Sequence, residues 1–154
     1  MPVSIRRATS DDVALVVEQR LAFLNAVRGE RVDTDPVFVD ATRTFVDAET
    51  SAGRMHTWIA ETDRCIGVVS LLLWARPPRP FDHGQRDGYI VNMHVDREER
   101  GKGVGRRLLD ECLASRDEFT IGRFFLHATD DGRPLYESAG FQPNSAWLEW
   151  TARG

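Results

Sequence analysis

At 154 residues, with 42% hydrophobic and 29% charged positions, the chain has the composition of one globular domain and too little charge excess to remain unfolded. A formal net charge of −4 speaks against a protein that grips the phosphate backbone of nucleic acid, which needs a basic surface, and leaves room for an amine-bearing partner. The two cysteines, Cys65 and Cys112, form no C-x-x-C pair, and the opening MPVSIRR lacks the apolar core of a signal peptide, so a reducing cytoplasm is the expectation.

In chain order, a short strand signal at Val3–Arg7 is followed by Thr9-Ser10-Asp11-Asp12, whose oxygens suit the exposed amides of a helix start. Val13, Val16, Val17, Leu21, Leu24 and Val27 then recur at helical spacing. Pro36 suits a first helical position, and Phe38, Ala41, Phe45 and Ala48 mark a second apolar stripe that stops before Gly53. From His56 the period changes. Residues 57–60 and 66–74, rich in β-branched and aromatic side chains, predict a hairpin of two strands around Thr62-Asp63-Arg64. The apolar run 65–75 is far short of the ~20 residues of a spanning helix, so no membrane segment is expected. Residues 76–88, with Pro77, Pro78, Pro80 and Gly84, read as a stiff loop before the strand Tyr89–Val95. Beyond the glycines that follow, Val104, Leu108, Leu109, Cys112 and Leu113 predict an amphipathic helix. A strand at Phe124–Ala128, a helix at Pro134–Ala139 ending at Gly140, and a last strand at Ala146–Thr151 complete the chain. The order β-α-α-β-β-β-α-β-α-β gives an α/β fold, residues 1–154 as a single domain, with a mixed central sheet and helices on both faces.

The run Arg100-Gly101-Lys102-Gly103-Val104-Gly105-Arg106 carries the most chemistry. Alternate glycines just before a helix let the backbone approach a ligand closely and leave several amides aimed at one spot, where phosphate oxygens bind. Lys102, Arg106 and Arg107 add positive potential. No G-x-x-x-x-G-K-[ST] string occurs, and the third glycine of a dinucleotide fingerprint is replaced by Arg106.

This run resembles the acyl-CoA motif [QR]-x-x-G-x-[GA] of the GNAT acetyltransferase superfamily, with Arg100, Gly103 and Gly105 in the matching places, and Leu135-Tyr136-Glu137 with Gly140-Phe141 resembles that family's late motif. The resemblance implies acetyl-CoA as co-substrate, with Met93, His94 and Val95 aligning pantetheine and the amides of Arg100, Gly101, Lys102, Gly103, Val104, Gly105 and Arg106 holding pyrophosphate. It further implies a contact from Thr129, where many members have Asn, and a catalytic Tyr136 that protonates the departing thiolate. The acetyl group would pass to a small-molecule or peptide amine by direct attack in a ternary complex, with no metal, nucleic acid or membrane involved; a homodimer is compatible. Where some members carry a catalytic Glu, eleven residues before Arg100, this chain has Tyr89, so the proton acceptor is left among Glu30, Asp33, His83, His94 and His127. A non-catalytic acyl-CoA-binding module is the competing class. Trp58, Trp74, Trp147 and Trp150 read as core or interface aromatics and receive no site role.

Overall fold

The computed structural model describes residues 1–152. Strand β1 (Ser4–Arg7) leads into α1 (Val13–Arg28) and α2 (Pro36–Ser51), then β2 (Met55–Glu61), β3 (Cys65–Ala75) and β4 (Arg86–Val95), α3 (Val104–Ala114), the short α4 (Arg116–Phe119), β5 (Ile121–Phe125) and α5 (Arg133–Ser138). The strands lie in sequence order in one sheet. All neighbours are antiparallel except β4 and β5, which run parallel.

Local chemistry sets the helix starts. Thr9 and Asp12 exchange hydrogen bonds as a capping box around a short turn ahead of α1, and the fork of Arg6 on Asp12 holds that carboxyl down at about 2. Asp35 accepts from the amides of Val37 and Phe38 at 3.0 and 3.2 Å, with Pro36 at the first turn of α2.

Helices cover both sheet faces. On one, Leu108, Leu109 and Cys112 of α3 are wholly buried against Trp58, Ile66, Leu71 and Ile90. On the other, Val16 and Val17 of α1 and Val46 of α2 pack over Met55. Burying side chains of this size stabilises by roughly 1.5–3 kcal/mol each, so α3 is the element most firmly fixed to the sheet.

Two sequence expectations need correction. Ala146–Thr151 forms no strand: residues 141–152 contain neither helix nor strand. The Asn144 side chain turns the backbone by accepting from the Ala146 amide at 3.0 Å, and the apolar residues Trp147, Leu148 and Trp150 do not alternate cleanly, so a strand would have no single face to bury. Trp147 rests near Phe125, with ring centroids 5.7 Å apart, while Leu148 and Trp150 are exposed. The strand expected at 124–128 is centred earlier, because Thr120 ends α4 in the left-handed region (φ 55°) and starts the chain upward at Ile121.

The loop between β3 and β4 is held by charge. Arg76 donates to Asp87 Oδ1 at 2.8 Å and to Asp82 Oδ2 at 2.6 Å, and Arg123 also reaches Asp87. A Cβ on Gly122 would lie 2.0 Å from the Arg76 guanidinium, so glycine there is what lets the network close over the start of β5. Asp87 is buried; removing it takes from Arg123 its only carboxylate among the described residues and from Arg76 one of two. Asp87→Ala should therefore lower unfolding free energy by about 3–5 kcal/mol in urea titration, whereas Asp110→Ala, which breaks only the exposed pair with Arg106, should cost less than about 0.5 kcal/mol.

Candidate active site

The sheet opens along β4. This strand pairs with β5 only from Arg86 to Tyr89, where Tyr89 faces Phe125, yet stays paired with β3 as far as Val95. From Ile90 onward its other edge has no neighbouring strand, so backbone donors and acceptors there are left for a ligand. Within this stretch lies a bulge: between the Ser70–Val91 and Val68–His94 pairs, β4 contributes Asn92 and Met93 against Val69 alone. Asn92 takes the left-handed conformation (φ 57°), which asparagine tolerates better than most residues. Met93 and Val95 pack into the main core, while His94 turns toward Asp96, with Nε2 4.0 Å from the carboxylate.

Where β4 ends, the glycine turn begins. The Arg100 guanidinium staples the turn to the strand through the Val95 carbonyl at 2.9 Å. Gly101 and Gly103 lie in the left-handed region at φ 76° and 83°, and Gly103 sits at the N-cap of α3 with open space on its side-chain side. Among the described residues, no backbone or side-chain acceptor faces the amides of Gly101, Lys102, Gly103, Val104, Gly105 and Arg106; the first amide to find a partner is that of Arg107, on the Gly103 carbonyl. A row of free donors at a helix amino end is the arrangement that suits an anion. The cationic side chains expected to assist are turned aside, Lys102 onto Glu99 at 3.2 Å and Arg106 onto Asp110 at 2.9 Å. Their contribution at this turn is through the backbone.

Tyr136 is buried on α5, edge-on to Phe141, and its hydroxyl has no protein hydrogen-bond partner among the described residues. Burial, with a smaller push from Cys112, raises its pKa to about 12. Thr129 is exposed and its hydroxyl accepts from the Gly132 amide at 3.1 Å, shaping the turn into α5. A cavity of about 620 Å³ reaches Tyr136, but it runs along the outer edge of β5, where the expected last strand is missing, and touches neither β4 nor the glycine turn. The candidate site is instead the row of free amides beside the open β4 edge.

The five candidate proton acceptors are scattered. Glu30 is tied to Arg28, and Asp33 to Arg31, whose paired hydrogen bonds hold its carboxyl at about 2. His83 and His127 are exposed. His94 stands apart: burial first, then Arg100, lowers its proton affinity, partly countered by Asp96. Cys112 is no nucleophile, since burial lifts its thiol to about 12, and Cys65 is shifted the same way.

Beyond these residues, the structure gathers a set that the sequence reading left out. Tyr89 stacks on Phe125 at 4.8 Å, flanked by Trp74 at 5.0 Å from each ring and by Trp147. Arg20 reaches from α1 to donate to Asn92 Oδ1 at 2.6 Å. One signal was available. Arg20 falls between Val16 and Leu24 at helical spacing, a charge on the stripe that should be apolar.

The chain's similarities follow this geometry. Residues 26–149 match the model of an acetyltransferase (GNAT) domain. A predicted acetyltransferase from Clostridium acetobutylicum, solved with acetyl-CoA, is 27% identical with a TM-score of 0.87, over 97% of this chain and 96% of that one. A GCN5-related N-acetyltransferase from Ralstonia eutropha JMP134 is also 27% identical, with a TM-score of 0.84, over 97% and 99%. An uncharacterized N-acetyltransferase of Bacillus subtilis, YitH, is 49% identical over 47 residues, 30% of this chain and 16% of that protein. The glucosamine 6-phosphate N-acetyltransferase of Trypanosoma brucei brucei is 32% identical over 82 residues, 53% of each. The matched stretches thus span about half or less of these curated relatives. With the family model covering most of its length and the sheet, turn and helices in place, the chain belongs to the GNAT acetyltransferase family.

Proposed function

We propose that this single domain transfers an acetyl group from acetyl-CoA to an amine by direct attack within a ternary complex. One observation carries the reading: six consecutive amides without protein acceptors adjoin a strand edge without a neighbouring strand. The amides of residues 101–106 suit a pyrophosphate, and the exposed edge from Ile90 to Val95 suits the amides of pantetheine, which needs extended pairing. Backbone donors near the Asn92–Met93 bulge would polarise the thioester carbonyl. Thr129, exposed at the turn into α5, would supply the side-chain contact to the cofactor arm that the family resemblance implies.

In the reaction, the neutral amine nitrogen bonds to the thioester carbon, the C–S bond breaks, the departing sulfur takes a proton from Tyr136, and the amine's surplus proton leaves to a base. Tyr136 at about 12 is a weaker acid than a free thiol at ~8.5, a gap of about 5 kcal/mol. The gap narrows when the thiolate sits in the same buried surroundings, which lift thiols as they lift Cys112. His94 is the side chain best suited to receive the amine proton, because it lies on β4 and is kept neutral.

Three outcomes are expected. Coenzyme A should raise the melting temperature of the protein, and Gly103→Val should abolish that rise while the variant stays folded by circular dichroism. Valine disfavours φ 83° and puts its branches where the backbone must meet phosphate; an undiminished rise would place the anion site elsewhere. Tyr136→Phe should leave acetyl-CoA affinity intact and lower kcat by about 10- to 1000-fold. A variant with wild-type kcat, when acyl transfer limits turnover, would remove the hydroxyl from the mechanism. Finally, the loss of rate caused by protonating His94 should have its midpoint below pH 6.5, because its folded-state affinity lies under that ordinary value; in His94→Gln that acid limb should vanish from the pH profile.

A further inference from the structure

Four arginines are less than fully exposed: Arg7, Arg20, Arg76 and Arg123. Three of them face carboxylates, Arg7 on Glu118, Arg76 on Asp82 and Asp87, and Arg123 on Asp87. Arg20 has none among the described residues. Its single protein partner is the neutral side-chain oxygen of Asn92, at 2.6 Å. A guanidinium carries five N–H donors and keeps its charge in proteins. The donors not used on Asn92 are not sealed in the protein interior, because the buried side-chain nitrogens and oxygens without partners are confined to Gln19 Oε1 and Arg123 Nε. The cation is therefore partly desolvated while donors stay open to a ligand, with Tyr89 near enough to interact with its charge.

Its position gives this opening a meaning. Asn92 is the left-handed residue of the β4 bulge, and Tyr89 is the last residue of β4 paired with β5. Arg20 thus meets the sheet where the strands part, from the α1 face, whereas α3 and its glycine turn pack on the opposite face. We propose that Arg20 is the acceptor-recognition residue: the amine to be acetylated carries a carboxylate or a phosphate, which pairs with the free edge of this guanidinium while the stacked rings of Tyr89 and Phe125 border its carbon skeleton. An anion is the ligand chemistry that such a cation lacks, and a planar fork binds carboxylate and phosphate oxygens in pairs. Asn92 fixes the fork from behind, so little side-chain freedom is lost on binding.

This inference rests on the proposed transfer reaction, so the test separates the two. The full chain, saturated with coenzyme A, is titrated by calorimetry with β-alanine against propylamine and with O-phosphoethanolamine against ethanolamine. Release of thiol from acetyl-CoA is followed with the same four amines. In wild type, at least one probe bearing an acid group should bind about 10- to 100-fold more tightly than its partner without one, and the pair that shows the preference identifies carboxylate or phosphate as the recognised group. Arg20→Gln should erase that preference through KM and Kd, leaving coenzyme A affinity and the amines without an acid group unchanged; Arg20→Lys, which keeps the charge, should restore part of it. Absence of any preference in wild type, its survival in Arg20→Gln, or an equal fall in kcat for amines with and without the acid group would each overturn the assignment, the last by making Arg20 a prop for the Asn92 bulge. An Arg20-dependent preference without thiol release would leave the recognition site standing and count against the transfer reaction. Thiol release indifferent to Arg20 would do the reverse.

Discussion

The parting of β4 from β5 after the Tyr89–Phe125 pair is the constraint on which the rest depends. A parallel pair that continued to Val95 would satisfy the backbone of β4 on both edges and leave no free donors beside the glycine turn. Two features hold the strands together at one end and apart at the other. At the start, Asp87 bridges Arg76 and Arg123 across the strand pair, a buried network that would cost several kcal/mol to break. Further along, the Asn92 bulge changes the twist and turns the strand away from its neighbour's path. Charge anchors one end; geometry opens the other.

The glycine turn and the packing of α3 serve the same opening. Leu108, Leu109 and Cys112 fix the helix against β2, β3 and β4, so its amino end is presented at the end of β4 rather than drifting over the sheet. Gly105 lies close to Leu135 of α5 and to Val95, which places the helix carrying Tyr136 directly against the first turn of α3. A rigid frame of this kind lowers the entropy lost when a long, flexible ligand is bound. The cations near the turn are engaged with Glu99 and Asp110, so the affinity expected from this turn comes from oriented backbone rather than from mobile side-chain charge.

What could be read from the sequence was what is local. The helix-start oxygens of Thr9–Asp12, Pro36 at the head of α2, the glycine turn and the stripe of α3 each rest on neighbours a few residues apart, and each formed where expected. The last strand failed for a reason also local, the Asn144 turn and an apolar pattern with no clean face. The Arg20–Asn92 contact joins residues 72 positions apart and depends on a one-residue bulge, which shifts every later side chain of β4 to the other face. Nothing in the spacing of Tyr89 and Phe125 announces that they stack. Their meeting requires the parallel register, and that register is settled by the Asp87 network and by Gly122, features of the assembled sheet.

Tyr136 shows how burial can both hinder and serve a proton transfer. In isolation, a hydroxyl raised to about 12 is a poor proton donor, and near neutral pH burial holds it in the protonated form that can donate. In the proposed transfer, a thiolate formed beside it in the same largely buried surroundings would have its proton affinity raised as the phenol's is. What matters is the difference between two acids in one environment, not either value in water. That the hydroxyl has no protein partner among the described residues suits the proposed role: a phenol already bonded to a carboxylate would have to break that bond before helping the leaving group, whereas an unengaged one would be free to give its first hydrogen bond to the sulfur as charge develops there.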